Sequence, residues 1–207
     1  MKGGTGTTVV ATTLALLARR GSGGALLADL AGDAAAALGV AEPPSPGIAG
    51  WLAAGSDVPA DGLARLEVPV AEGLALLPRG EGPLGTERAD VLAALLATDG
   101  RAVVADCGTD LDGAALAVAG AATRSVLVIR PCFLALRRIR HAVLRPSEVV
   151  LVDEPGRALH ARDVEDVVGA PIVARVPYDP GVARAVDAGL LSARLPRSLQ
   201  RELSGAA

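Results

Sequence analysis

Lysine is all but absent from this sequence: of 20 basic residues only Lys2 is a lysine, and the rest are arginines. Aromatic residues are as scarce, with one Trp, one Tyr and one Phe at Trp51, Tyr178 and Phe133. The core therefore has to be assembled from Ala, Val and Leu, whose small side chains let helices pack closely on a sheet. The two cysteines, Cys107 and Cys132, sit in apolar runs and are expected as buried, reduced thiols. Two histidines, His141 and His160, complete a set too sparse for a zinc site, and their charged surroundings place them on the surface. No apolar run approaches the ~20 residues that a membrane-spanning helix needs. The N-terminus opens on Gly and Thr instead of a basic segment followed by an apolar one, so no signal peptide is read and a cytoplasmic protein is expected. A net charge of −3 gives no overall basic field for holding nucleic acid. Glu42, Asp57, Asp61, Glu67 and Glu72 form no spaced pair suited to glycosidase chemistry, and no Ser-His-Asp set is present.

What is present is alternation. With 207 residues, the chain reads as one domain spanning 1–207. Short apolar runs at 25–29, 74–78, 102–106, 125–130, 149–153 and 172–176 have the near-continuous character of strands covered on both faces. Between them lie helical stretches at 8–20, 87–97, 111–122, 133–143, 161–168 and 180–188. Gly21, Ser22, Gly23 and Gly24 stop the first helix, and Asp179-Pro180 starts the last of these with an N-cap and a first-turn proline. Residues 42–47, with three prolines, form a rigid connector before a short helix around Trp51. Such an order predicts an α/β protein with a doubly wound, mostly parallel sheet, three-layered and Rossmann-like. Ligands in these folds bind beyond the carboxyl ends of the strands, where Asp29, Asp106 and Asp153 stand.

Lys2-Gly3-Gly4-Thr5-Gly6-Thr7-Thr8 runs directly into the first helix. Glycines allow consecutive backbone N–H groups to converge on an anion, and the helix N-terminus adds its positive end. The segment resembles the deviant Walker motif of the MinD/ParA class of P-loop ATPases, matching at Lys2, Gly3, Gly4, Gly6 and Thr8. Thr7 stands where that family has its phosphate-loop lysine, as in the degenerate branch acting in Flp/Tad pilus assembly and septum-site placement.

The resemblance continues down the chain. The strand ending at Asp29 looks like the family's second motif, D-x-D, with its second acid falling on Ala31 and Asp33 standing two residues late. Val103 to Gly108 resembles the Walker B-like strand, which assigns Asp106 to the magnesium shell together with Thr8. Asp153 occupies the place of an adenine-contacting Asn, and Pro177, before Tyr178-Asp179-Pro180, looks like the segment beside the base. The resemblance thus implies ATP and Mg²⁺ held by Gly3, Gly4, Thr5, Gly6, Thr7, Thr8, Asp153 and Pro177. It implies catalytic parts for Lys2, which would reach across a homodimer, and for Asp29. Loss of the lysine at Thr7 and of the acid at Ala31 removes charge where phosphoryl transfer needs it, so slow or absent hydrolysis is expected.

A phosphate loop should follow a central strand, but here it begins at residue 2. A missing first strand, with translation starting upstream of Met1, is therefore expected. Arg137, Arg138, Arg140 and His141, flanked by Arg130 and Arg145, could touch DNA phosphates non-specifically, but a solvated helix face is the plainer reading. Leu191, Leu195, Leu199 and Leu203 could form a membrane-contacting tail, or a small terminal helix packed on the domain. Three functions stay open. They are a nucleotide-switched dimer serving a pilus, division or partitioning machine; a non-hydrolysing scaffold; and an NAD-dependent oxidoreductase. The last rests on Gly4-Thr5-Gly6-Thr7-Thr8-Val9 with Asp29 as a ribose-binding acid, but its third glycine is Val9.

Overall fold

The computed structural model describes residues 4–21, 23–41, 46–55 and 58–207. Lys2 and Gly3, Ser22, and most of the proline connector lie outside them. In chain order the elements are α1 (Thr7–Ala18), β1 (Ala25–Asp29), α2 (Ala34–Leu38), α3 (Gly47–Ala53), β2 (Val68–Ala71) and β3 (Leu74–Leu77). There follow α4 (Ala89–Ala97), β4 (Ala102–Asp106), α5 (Gly113–Ala121), β5 (Val126–Ile129), α6 (Phe133–Ile139) and β6 (Glu148–Asp153). The chain ends with α7 (Ala161–Val168), β7 (Ile172–Pro177), α8 (Pro180–Asp187) and α9 (Arg197–Leu203).

The strands form two sheets, ordered β2-β3-β1-β4 and β5-β6-β7. All pairings are parallel except β2 with β3. β2 went unread in the sequence because Val68-Pro69-Val70-Ala71 is short and carries a proline, which a strand tolerates at a sheet edge, where β2 lies. β4 ends one sheet and β5 the other, and among the described residues neither has a strand paired along that outer edge. One apolar layer nonetheless runs beneath both sheets. Val10, Leu14 and Leu16 of α1 pack in it with Leu27 and Leu76 of the first sheet and Val128, Val150 and Val176 of the second. The opposite faces are covered separately, the first sheet by α3, α4 and α5 and the second by α6 and α7. Helices on both faces make the fold doubly wound and three-layered, as the alternation predicts.

α1 is buried nearly all round from Val10 to Leu16, which is why it lacks a polar stripe. Its two buried threonines satisfy themselves locally, Thr12 Oγ1 donating to Thr8 O at 2.7 Å and Thr13 Oγ1 to Val9 O at 2.7 Å. α9 closes the far end of the same layer. Leu191, Leu199 and Leu203 are fully buried there, so the leucine series faces the core in the packed-helix manner. Among the described residues no helix is long and apolar enough to cross a membrane. α6 stops at Ile139, four residues short of its expected end, leaving Arg140 and His141 exposed beside the exposed Arg137 and Arg138 on a solvated face.

Candidate functional site

The approach to α1 is set by backbone conformation. Gly4 has φ +81° and Gly6 φ +92°, both left-handed, and Gly6 is the N-cap of the helix. A Cβ at either position would meet nothing within 4 Å among the described residues, so the backbone conformation and not crowding is what favours glycine there. No side chain caps the helix. The first backbone hydrogen bond is Val10 N–H to Gly6 O at 2.9 Å, so among the described residues the amides of Thr7, Thr8 and Val9 have no acceptor. A helix start with donors exposed and no side-chain acceptor is suited to an anion. Thr5 Oγ1 and Thr7 Oγ1 lie 3.2 Å apart, tying the loop to the first helical turn.

Two carboxylates stand beyond the adjacent strand ends. Asp106, at the end of β4, is fully buried. Its Oδ1 accepts from Gly108 N–H at 3.0 Å, while Oδ2 is buried with no hydrogen-bond partner. Burial raises its pKa; the Thr8 hydroxyl and the Gly108 amide pull it down, and the nearby Asp33 charge pushes it up again. A buried carboxylate with one orphaned oxygen beside a helix-start threonine is the arrangement a hard cation would complete. Among the described residues no three His, Cys, Asp or Glu side chains are placed to hold a metal ion by themselves, so a metal here would complete its shell with water or phosphate oxygens. The residues present therefore fit Mg²⁺ held jointly with a nucleotide, with Thr8 and Asp106 as the protein's share.

Asp29 is used differently. Its carboxylate accepts from the amides of Ala31 at 3.0 Å, Gly32 at 2.7 Å and Ala34 at 3.0 Å. Both oxygens are thus engaged in shaping the loop into α2, and only 2 % of the residue is exposed. Burial raises its pKa, opposed by those amide bonds and assisted by the charge of Asp106. Asp33, which the sequence placed two residues late for the second acidic position, is exposed at the start of α2 and acts electrostatically on Asp106. The turn made by Asp29 brings it there, a consequence that motif spacing could not convey. Leu30 N–H donates to Asp106 O at 2.9 Å, stitching the two loops together.

Asp153 and Pro177 lie level at the ends of β6 and β7. The carboxylate of Asp153 pairs with Arg175, and its carbonyl accepts from Tyr178 N–H at 2.8 Å. Both side chains line a cleft of about 510 Å³ with Glu154, Arg157 and His160. Leu151, also in that wall, packs with α6 and α7, so this cleft lies on the face of the sheet away from α1. The structure thus gathers Gly4 to Thr8 with Asp106, Asp29 and Asp33, and sets Asp153 apart from them. For Cys107, next to Asp106, burial and the neighbouring carboxylate push the thiol up to about 12, which disfavours the thiolate.

One residue escaped notice as a site residue. Arg130 follows β5, and in the sequence it reads only as a flank of the α6 basic cluster. In the fold it is separated from that cluster, its guanidinium 5.6 Å from the centre of the Tyr178 ring.

No protein-family model and no curated protein matches the sequence. Solved structures do match in fold. A ParA family ATPase from Chlorobium tepidum TLS superposes with a TM-score of 0.78 at 19 % identity, covering 98 % of this chain and 92 % of the other. The septum site-determining protein MinD from Pyrococcus horikoshii OT3, solved with Mg-ADP, gives 0.76 at 18 % identity, covering 99 % and 90 %. The MinC:MinD cell division complex of Aquifex aeolicus gives 0.69 at 20 % identity, covering 91 % and 82 %. The chain has the MinD/ParA-like P-loop ATPase fold.

Proposed function

We propose that the chain binds Mg²⁺–ATP on the loop Gly4–Thr8 and acts as a nucleotide-switched homodimer that positions a pilus-assembly, septum or partitioning complex, with hydrolysis slow or absent. The observation that carries the binding reading is the meeting of three unpaired amides at the start of α1 with the orphaned oxygen of Asp106. Amides of the loop and of Thr7, Thr8 and Val9 grip the phosphates; Thr8 and Asp106 hold the cation. Bound Mg²⁺ would neutralise phosphate charge. A nucleotide with Mg²⁺ is in keeping with one fold neighbour, solved with Mg-ADP, and a protein partner with another, solved in a complex with MinC.

Slow turnover follows from what the residues cannot do. Thr7 offers a hydroxyl where a cation would stabilise charge developing on the transferred phosphoryl group, and the oxygens of Asp29 are already spent on backbone amides. Lys2, the cross-dimer candidate, lies outside the described residues. A scaffold that binds nucleotide without consuming it grades into this reading. The oxidoreductase reading loses its main support, because a ribose would have to displace amide bonds from a buried Asp29.

Thermal melts with ATP, ADP and NAD, each with and without Mg²⁺, test the assignment, since stabilisation follows affinity. Mg²⁺-dependent stabilisation by ATP and ADP is expected, with none by NAD. A melt that responds to NAD alone, or to no nucleotide, would overturn it.

A further inference from the structure

We infer that Arg130 is the cation this site presents to the phosphate tail of a nucleotide, partly replacing the charge that Thr7 does not supply; the inference rests on the reading of Gly4–Thr8 as a phosphate cradle. Side-chain alternation places it. Along β5, Leu127 and Ile129 pack with α6 and α7, while Val126 and Val128 pack in the layer built on α1. Arg130 continues the second row, so it emerges beyond the carboxyl end of β5 on the face that α1 covers. Tyr178 continues the row of Ala174 and Val176 on β7 in the same way. The cation–ring pair thus lies across the carboxyl edge of the second sheet, on the same face as the helix start with its unpaired amides.

Its charge is uncommitted. Arg101, Arg124, Arg157 and Arg175 each pair with a carboxylate. Arg130 has no ion pair among the described residues, and its Nε is buried without an acceptor. A partly buried guanidinium is costly unless something answers its charge. The face of Tyr178 answers some of it, and a ring contact leaves the in-plane N–H donors free for a bidentate acceptor. An anion reaching along the sheet edge from α1 is the group such donors suit. β5 is the outer strand of its sheet, and its inner face shares the apolar layer built on α1, the helix whose start carries the unpaired amides.

The test is affinity as a function of phosphate number. The full chain, Arg130→Ala and Arg130→Lys are titrated calorimetrically with adenosine, AMP, ADP and ATP in the presence of Mg²⁺, at two salt concentrations. Arg130→Ala should weaken ADP and ATP about tenfold or more, as expected for a lost charge-assisted pair. It should leave adenosine unchanged and flatten the salt dependence, and Arg130→Lys should recover part of the loss. If wild type binds ATP and the ratio of ATP to adenosine affinity survives in Arg130→Ala, this inference fails while the phosphate loop stands. Equal weakening of adenosine and ADP would also refute it, assigning Arg130 to packing or to the base. If wild type binds no nucleotide, the cradle reading itself falls.

Discussion

Asp29 and Asp106 stand directly opposite each other in register at the ends of β1 and β4, both buried, and the charge of Asp106 raises the pKa of Asp29. Asp29 is answered by three amides, whereas Asp106 keeps one oxygen without a partner. The asymmetry separates a carboxylate that builds the loop from one that is available to a ligand.

The pair makes stability depend on pH. Both folded-state pKa values lie above the unfolded value of 3.8, so between the two values the native state holds more protons than the unfolded one. Stability of the ligand-free chain should therefore fall as pH rises from about the ordinary Asp pKa through the raised values. On the proposed reading Mg²⁺–ATP takes the ionised form of Asp106, so its stabilising effect should grow over the same window. Melting temperatures from pH 4 to 8, with and without Mg²⁺–ATP, check this; a ligand effect that shrinks as pH rises would contradict it.

Replacing Asp106 by Asn removes a buried charge and keeps an acceptor for Gly108. The ligand-free variant should melt at or above the wild-type temperature at neutral pH, while Mg²⁺ ceases to strengthen nucleotide binding. Stability gained with ligand response lost is the mark of a functional site, where strain is retained for use. If Asp106→Asn unfolds the chain, the carboxylate is structural.

Much of this was legible in the sequence, for identifiable reasons. β1 and β4 stand at 25–29 and 102–106 as read, because continuous apolar runs ending in Asp have few alternatives in a buried parallel sheet. β2 was invisible because four residues with a proline carry no period. At the candidate site, residue order alone was enough to single out the loop and Asp106 as candidates. The commitment of Asp29 to its own loop, the approach of Asp33 to Asp106 and the separation of Arg130 from the α6 arginines all depend on side-chain direction. Residue spacing does not encode that.

Gly39 tests the packing of the layer beneath the sheets. It ends α2 with φ +72°, and a Cβ built there would lie 1.8 Å from the carbonyl oxygen of Gly189, in the turn after α8. Neither backbone is a flexible tip, so Gly39→Ala must push the two segments apart as well as strain its own φ. A loss of about 3 kcal/mol or more is expected from chemical denaturation, above the ~1 kcal/mol of an unfavourable φ alone. A loss near 1 kcal/mol would mean that the crossing yields readily.

Thr7 offers the most direct route from sequence to chemistry. It is the first residue of α1, its hydroxyl is 3.2 Å from that of Thr5, and it is only partly buried, so a longer side chain has room to leave the loop. Lysine is also the better helix former by a few tenths of a kcal/mol, which argues against a folding penalty. Thr7→Lys places an ammonium at the helix start whose amides lack an acceptor, where a bound phosphate would feel its charge more than it does in water. ATP affinity should rise about tenfold or more, with a steeper salt dependence, and single-turnover hydrolysis should become faster than in wild type. Gains in affinity without gains in rate would point to a further defect, for which Ala31, at the place of the second acid of the resembled D-x-D motif, is the first position to test. No gain in either would mean that Thr7 does not face phosphate, and the anion-gripping role of the loop would have to be abandoned.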